Sequence, residues 1–224
     1  MHSCIWAATG ILISCVCFGQ SISIGVMGGV RATDDLTGGG ATSVSKRYVV
    51  GPSLEVGLPF GLAVEADALY RRAGFRTSVS DGSYYVHADE HANLWEVPIL
   101  LKYRIPLPTA RPFLEAGYAI RVVGGSISNS YVQNLPYPYG YDGSSETYST
   151  YYSNWSTSHG LVVGGGVQFA LGHLRLSPTV RYTHWTDSTV SGAYAGPHEL
   201  FNAPPWQSNQ NQVDVLLGIA WKVR

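Results

Sequence analysis

The segment Arg181-Tyr182-Thr183-His184-Trp185-Thr186-Asp187 carries the sharpest set of groups able to do chemistry. A hydroxyl near a histidine can act as nucleophile with the imidazole as its base. Here Thr186 lies two residues beyond His184, and Glu199 is a loosely spaced third member. The plainer reading makes His184 and Trp185 an interfacial girdle at headgroup level. A second cluster, His87, Asp89, Glu90 and His91, holds ligand-type side chains. An i, i+4 histidine pair converges on one metal only when it sits on a helix. The flanking Ser, Gly and Asn argue against a helix, so no metal site is assigned, and no motif calls for a cofactor.

Cysteine chemistry is absent from the mature chain. Cys4, Cys15 and Cys17 are the three cysteines, and all lie in one amino-terminal segment. The apolar run Ile5 to Phe18 has the length of a signal-peptide core and is short for a membrane helix. Residues 1–19 are therefore expected to be a signal peptide, cleaved after Gly19. Leu12-Ile13-Ser14-Cys15 also fits a lipidation pattern that would modify Cys15. Residues 20–224 form the remaining domain.

Composition narrows the class. Of 224 residues only 13% are charged and 45% are hydrophobic, with a net charge of -1. Ordinary soluble domains carry about 25% charged residues. The near-neutral balance excludes a basic nucleic-acid surface. From Ser21 onward no apolar stretch is long enough for a helical span.

What recurs instead is a period of two, in eight segments of about ten residues each, as in strands whose side chains alternate between faces. Ile22, Ile24, Val26 and Val30 share one face of the first segment, and Tyr48, Val50, Leu54, Val56 and Leu58 one face of the second. Trp95, Val97, Ile99, Leu101, Tyr103 and Ile105 oppose Glu96, Lys102 and Arg104, and Val213, Val215, Leu217, Ile219 and Trp221 oppose Asp214 and Lys222. In every segment the mid-strand charges fall on the second face. A soluble barrel would put them outside. An Arg or Lys facing lipid at the bilayer midplane costs roughly 2–4 kcal/mol, and the first face avoids that cost.

Connections alternate in length. Leu58 to Gly61, Pro106 to Pro112 and Ala170 to His173 are short; Ala32 to Lys46, Gly74 to Asn93, Gly125 to Ser158 and Thr186 to Gln210 are long. Backbone groups in hydrocarbon must pair internally, so the sheet must close. The expected fold is all-β: a closed, eight-stranded, antiparallel transmembrane barrel with a charged interior, four long extracellular loops and three short periplasmic turns.

An eight-stranded lumen is just wide enough to be filled by side chains. Glu55, Glu65, Asp67, Glu96, Glu115 and Asp214 face inward with Arg71, Lys102, Arg104, Arg121, Arg175, Arg181 and Lys222. Buried charges persist when paired, so a salt-bridge ladder is expected through the barrel. Its sharper alternatives are a catalytic carboxylate pair and a gate for ions. The third long connection holds Tyr131, Tyr137, Tyr139, Tyr141, Tyr148, Tyr151, Tyr152 and Trp155 among Ser, Asn, Pro and Gly. That is the composition of adaptable recognition surfaces, and a surface ligand is the expectation it raises.

Two resemblances follow. The segment around His184 resembles the His-x-Ser motif of outer-membrane lipid A deacylases of the PagL type, which are eight-stranded barrels. Thr186 stands where that family has Ser, and Asp187 where it has Asn. The broader resemblance is to the outer-membrane β-barrel domain family of Gram-negative bacteria, relatives of OmpA, OmpX and PorT-like porins. Leu94-Trp95-Glu96-Val97-Pro98-Ile99-Leu100-Leu101-Lys102-Tyr103 followed by Arg111-Pro112-Phe113-Leu114-Glu115-Ala116-Gly117 resembles the signature hairpin of that family. One departure is the terminus: members often end in Phe, and this chain ends Trp221-Lys222-Val223-Arg224. The resemblance implies an outer-membrane location, with outer-membrane lipid or lipopolysaccharide and the barrel-assembly machinery as partners. The expected function is non-enzymatic: a structural or adhesin-like role through the long loops. A lipid A deacylase-like enzyme and a small-solute channel are the alternatives.

Overall fold

The computed structural model describes residues 21–37, 42–81, 84–108, 110–133, 145–187, 191–192 and 206–223. Eight strands form the wall: β1 (Ile22–Arg31), β2 (Tyr48–Gly57), β3 (Leu62–Asp67, then Leu69–Asp81), β4 (Tyr84–Arg104), β5 (Ala110–Gln133), β6 (Ser145–Leu171), β7 (Leu174–Trp185) and β8 (Asn211–Lys222). Each pairs antiparallel with the next, and β1 closes the ring on β8, with Ile24 opposite Trp221. β3 lapses once, at Ala68. Its neighbour there is Pro52, which has no N–H to donate, although the Ala68 N–H still reaches the Pro52 carbonyl at 3.0 Å.

Alternation decides which side chains go in. On β7 every second residue from Arg175 to Trp185 is buried. On β4, Leu100 is fully enclosed while Ile99 and Leu101 are more than half exposed. The exposed set at mid-wall is apolar: Ile24, Val26, Leu114, Leu161, Val163, Val180, Leu217 and Ile219 among others. The mid-wall charged residues, Glu55, Glu65, Asp67, Arg71, Glu96, Lys102, Glu115, Arg121, Arg181 and Asp214, are buried instead. No helix among the described residues is long and apolar enough to cross a membrane; this chain crosses with strands.

The short turns are where the sequence places them. Leu58 leads into a single 3-10 turn at Pro59–Gly61, and Gly172 with His173 joins β6 to β7. Gly61 and Gly172 take positive φ, as does Phe60 at 63°. Two of the long connections differ from expectation. β3 runs to Asp81 and β4 starts at Tyr84; β5 runs to Gln133 and β6 starts at Ser145. What reads as loop is mostly strand. β4, β5 and β6 are 21, 24 and 27 residues long, against the roughly 9–11 that cross a bilayer. Their Ser, Thr and Tyr content supports strand as readily as loop, and cross-strand pairing settles the matter.

Residues 1–20 lie outside the described residues, and with them the expected signal peptide and Cys15. So do Tyr137, Tyr139, Tyr141 and Glu199.

Candidate functional site: the interior charge ladder

Two clusters fill the lumen. The first sits at the loop end. Arg31 donates from Nε to Asp214 Oδ1 at 3.0 Å, from Nη2 to Glu96 Oε1 at 3.1 Å and from Nη1 to Asp35 Oδ1 at 3.2 Å. Asp35 also pairs with Arg71. Glu96 takes a second cation, Arg121, at 3.2 Å. Gln212 donates to Glu96 Oε2 at 2.9 Å and accepts from Trp185 Nε1 at 2.8 Å. The Arg121 guanidinium lies 3.8 Å from the centre of the Trp185 ring, a cation–π contact strengthened by loss of water.

The second cluster lies toward the short turns. Arg181 meets Glu115 Oε1 at 2.6 Å, Asp67 Oδ2 at 2.6 Å and Glu65. Lys102, with 1% of its side chain exposed, pairs with Glu65, with Glu55 at 3.3 Å and with Glu115 at 3.7 Å. Its ammonium also lies 4.3 Å from the Phe113 ring centre. Arg104 and Arg175 share Glu55 Oε1 at 2.9 and 2.8 Å.

Charge balances in each cluster. Arg31, Arg71 and Arg121 face Asp35, Glu96 and Asp214. Lys102, Arg104, Arg175 and Arg181 face Glu55, Glu65, Asp67 and Glu115. Isolated buried ions cost several kcal/mol each in lost hydration, so balance and saturation are what make the arrangement tolerable. A small cavity of about 20 Å³ beside the β1 wall is bordered by Ser23, Ser53, Glu55, Glu65, Gln168 and Ser177. One water fills such a volume. The Ser23 hydroxyl beside it has no partner among the described residues.

The expected ladder members are brought together with one exception and two additions. Lys222 keeps the inward parity but sits half-buried at the periplasmic rim, and no ion pair among the described residues includes it. Arg31 ends β1 and was outside the alternating stretch; Asp35 follows in the loop. Their signal in the sequence is simple: Arg31 is odd-numbered, like buried Ser23 and Met27. Gln212 and Trp185 join the first cluster, although the sequence places Trp185 in an interfacial girdle. Trp185 is 1% exposed and points into the lumen, so it is no part of a headgroup girdle. Parity already places it with Arg181 and Thr183, one face away from His184. A Cβ on Gly160 would come within 2.8 Å of the Trp185 ring, so the glycine makes the room.

The His184 segment does not assemble as a nucleophile and base among the described groups. His184 faces outward, and its Nδ1 lies 2.9 Å from Asn211 Oδ1. The Thr186 hydroxyl bonds elsewhere, to the His159 carbonyl at 2.9 Å and to Asp187 at 3.1 Å. His87 and His91 fall on strand β4, where an i, i+4 pair is about 13 Å apart; their side chains lie outside the described residues. In the Tyr-rich hairpin the register sets Tyr131 opposite Thr147, Tyr148 opposite Ser130, Tyr151 opposite Ile127 and Tyr152 opposite Ser126. A register shift follows at Gly125, near Trp155.

No family model matches the chain, and no curated protein matches it in sequence. Solved structures do match in fold. The outer membrane protein OprG from Pseudomonas aeruginosa is 14% identical over 92% of this chain and 95% of its own, with a TM-score of 0.56. Neisserial surface protein A is 14% identical over 91% of this chain and 99% of its own, with a TM-score of 0.42. The N-terminal β-barrel domain of Pseudomonas aeruginosa OprF is 13% identical over 90% and 96%, with a TM-score of 0.41. The closed ring, the oily exterior and the ionic interior define an eight-stranded outer-membrane β-barrel, as the resemblance of the β4–β5 hairpin implies. At 14% identity the likeness to OprG shows the fold.

Proposed function

We propose that this barrel is a non-conducting, non-catalytic membrane anchor that carries a surface-interaction element. The observation behind the reading is the pairing of β5 with β6 as far as Gln133 opposite Ser145. That pairing extends the sheet by roughly a dozen residues past the span a bilayer needs. A strand-paired platform whose sequence is rich in Tyr offers contact area at low side-chain entropic cost, which suits an adhesin-like role. Outer-membrane lipid and the barrel-assembly machinery are its expected partners in the cell, with an unidentified ligand at the hairpin.

Two measurements test this. Cells expressing a variant whose residues 126–152 are replaced by a short turn should lose attachment to surfaces that the full chain adheres to; undiminished attachment removes the adhesin reading. In planar bilayers the purified protein should give no steady conductance, because two balanced clusters of side chains fill the lumen. A stable open level would favour the channel reading instead. The deacylase reading has the least support, since Thr186 and His184 are bonded to other partners; lipid A from expressing cells should keep all its acyl chains by mass spectrometry.

A further inference from the structure

Seven wall cations, Arg31, Arg71, Lys102, Arg104, Arg121, Arg175 and Arg181, are paired inside the barrel, whereas Arg72 points outward near the loop end. Residues 42–47 run alongside the upper part of β3. Thr42 pairs with Arg76 and Ser43 with Phe75. The Val44 N–H reaches the Gly74 carbonyl at 2.8 Å, and the Lys46 N–H the Arg72 carbonyl at 3.1 Å. The Ser45 hydroxyl is wedged against the Gly74 backbone, accepting from its N–H at 3.0 Å. These contacts set Lys46 beside Arg72, with Arg76 further along the same outward face of β3; Arg47 has the opposite parity. Lys46, Arg72 and Arg76 are exposed. Arg47 is shared with Asp34 at 3.1 Å, and Arg76 stands opposite Asp89 in the ladder. Lys46 and Arg72 have no ion-pair partner among the described residues.

The surface just below is aromatic. Tyr70 and Trp95 pair across β3 and β4 with ring centres 5.2 Å apart, and the Tyr70 hydroxyl donates to Asn93 Oδ1 at 2.8 Å. Arg72 is opposite Asn93, one strand repeat above Tyr70, which is about 7 Å along the strand. Tyr48 is exposed on neighbouring β2. Aromatic rings of this kind mark the headgroup level of a barrel. Cations one step above them stand at the depth of outer-leaflet phosphates. Guanidinium and ammonium groups both bind phosphate, the guanidinium in a bidentate fork.

We propose that Lys46 and Arg72 form a binding site for the phosphate groups of a phosphorylated glycolipid in the outer leaflet. Tyr70 and Trp95 would lie against the sugar and upper acyl region of the same molecule. The site gives the lipid partner of the proposed function a location on the barrel, and it rests on the loop end facing outward.

The test uses the full-length protein in nanodiscs. One set contains lipid A bearing its phosphates, the other lipid A dephosphorylated with the same acyl chains. Lipid retained after detergent extraction is counted by mass spectrometry of the intact complex. The unaltered protein should retain the phosphorylated lipid at least tenfold more than the dephosphorylated one. Lys46→Glu with Arg72→Glu should abolish that preference, and Lys222→Glu at the opposite rim should leave it unchanged. Should the charge reversal hinder folding, Lys46→Gln with Arg72→Gln should still lower the preference several-fold. Equal retention of the two lipids, or an undiminished preference in the double variants, overturns the site. Orientation is checked separately by labelling Asp187→Cys on intact cells with an impermeant reagent. Labelling without lipid preference refutes the site alone, whereas no labelling refutes the outward placement of the loops.

Discussion

Arg181 and Glu115 clasp hands over a glycine. Glu115 on β5 and Arg181 on β7 both stand opposite Gly164 of the intervening strand β6, and Arg181 Nε reaches Glu115 Oε1 at 2.6 Å. A Cβ on Gly164 would lie 2.9 Å from that same carboxylate oxygen and 3.1 Å from Arg181 Cγ. The two strands are not neighbours, so the contact exists only because the residue between them has no side chain.

Gly164→Leu should therefore separate the pair. Breaking a buried ion pair costs about 3–5 kcal/mol, and the added side chain also crowds the Val180 carbonyl, 2.9 Å from the same Cβ position. The melting midpoint, read from the shift between folded and unfolded mobility on gels, should fall markedly. Val163→Leu, one residue away and facing lipid, should leave the midpoint within a few degrees. Equal midpoints for Gly164→Leu and the parent would show that the clasp does not hold the wall together.

Arg181→Met should be worse than Glu115→Gln. The first removes the cation shared by Glu65, Asp67 and Glu115, which leaves Asp67 with no ion-pair partner among the described residues and Glu65 and Glu115 with Lys102 alone. The second leaves Arg181 with two of its three partners. An order reversed in denaturant titration would mean that the lumen admits enough water to hydrate the orphaned acids.

Trp185 should be silent to lipid. It is enclosed, while Trp95 and Trp221 stand 41% and 56% exposed on the outer face. In single-tryptophan variants reconstituted with brominated lipid, fluorescence from Trp95 and Trp221 should be quenched and that from Trp185 preserved. Strong quenching of Trp185 would reverse the inside–outside assignment of β7. Trp185→Phe keeps the ring but loses the bond to Gln212, and should cost about 1–2 kcal/mol.

Acid should loosen the first loop. Burial pushes the Asp35 carboxyl up, but Arg71 and Arg31 outweigh it and hold the pKa below the usual carboxylate value, which is about 3.9. A folded-state pKa lower than the unfolded one stabilises the fold at neutral pH, and that stabilisation is lost as pH falls through the folded value. Amide exchange over residues 31–37 should therefore rise only below about pH 4, and Asp35→Asn should show the faster exchange already at neutral pH.

Much of this was legible in the chain. Alternation is a property of the extended backbone itself, two residues to the repeat, so Glu96, Lys102, Glu115, Arg181 and Asp214 could be assigned to one face without knowing any neighbour. The even set, Ile24, Val26, Val180 and His184, went to lipid by the same rule, and the rule extended by one residue would have turned Trp185 and Arg31 inward. Short turns at Gly61 and Gly172 were visible as the glycines that positive φ favours.

Partnership was not legible, because it depends on how the ring closes. Which acid meets Arg181 follows from the stagger between β5, β6 and β7, and nothing local to Arg181 encodes it. The same closure brings Arg31 to Asp214 from opposite ends of the sequence and leaves Lys222 at the rim. The hairpin of β5 and β6 makes the point from the other side: Ser, Thr and Tyr permit strand and loop alike, and only the neighbouring strand, by offering backbone partners, decides between them. Face, then, is written residue by residue along the chain, whereas pairing across the lumen belongs to the closed cylinder, since a contact between distant strands has no energy until both are held in place.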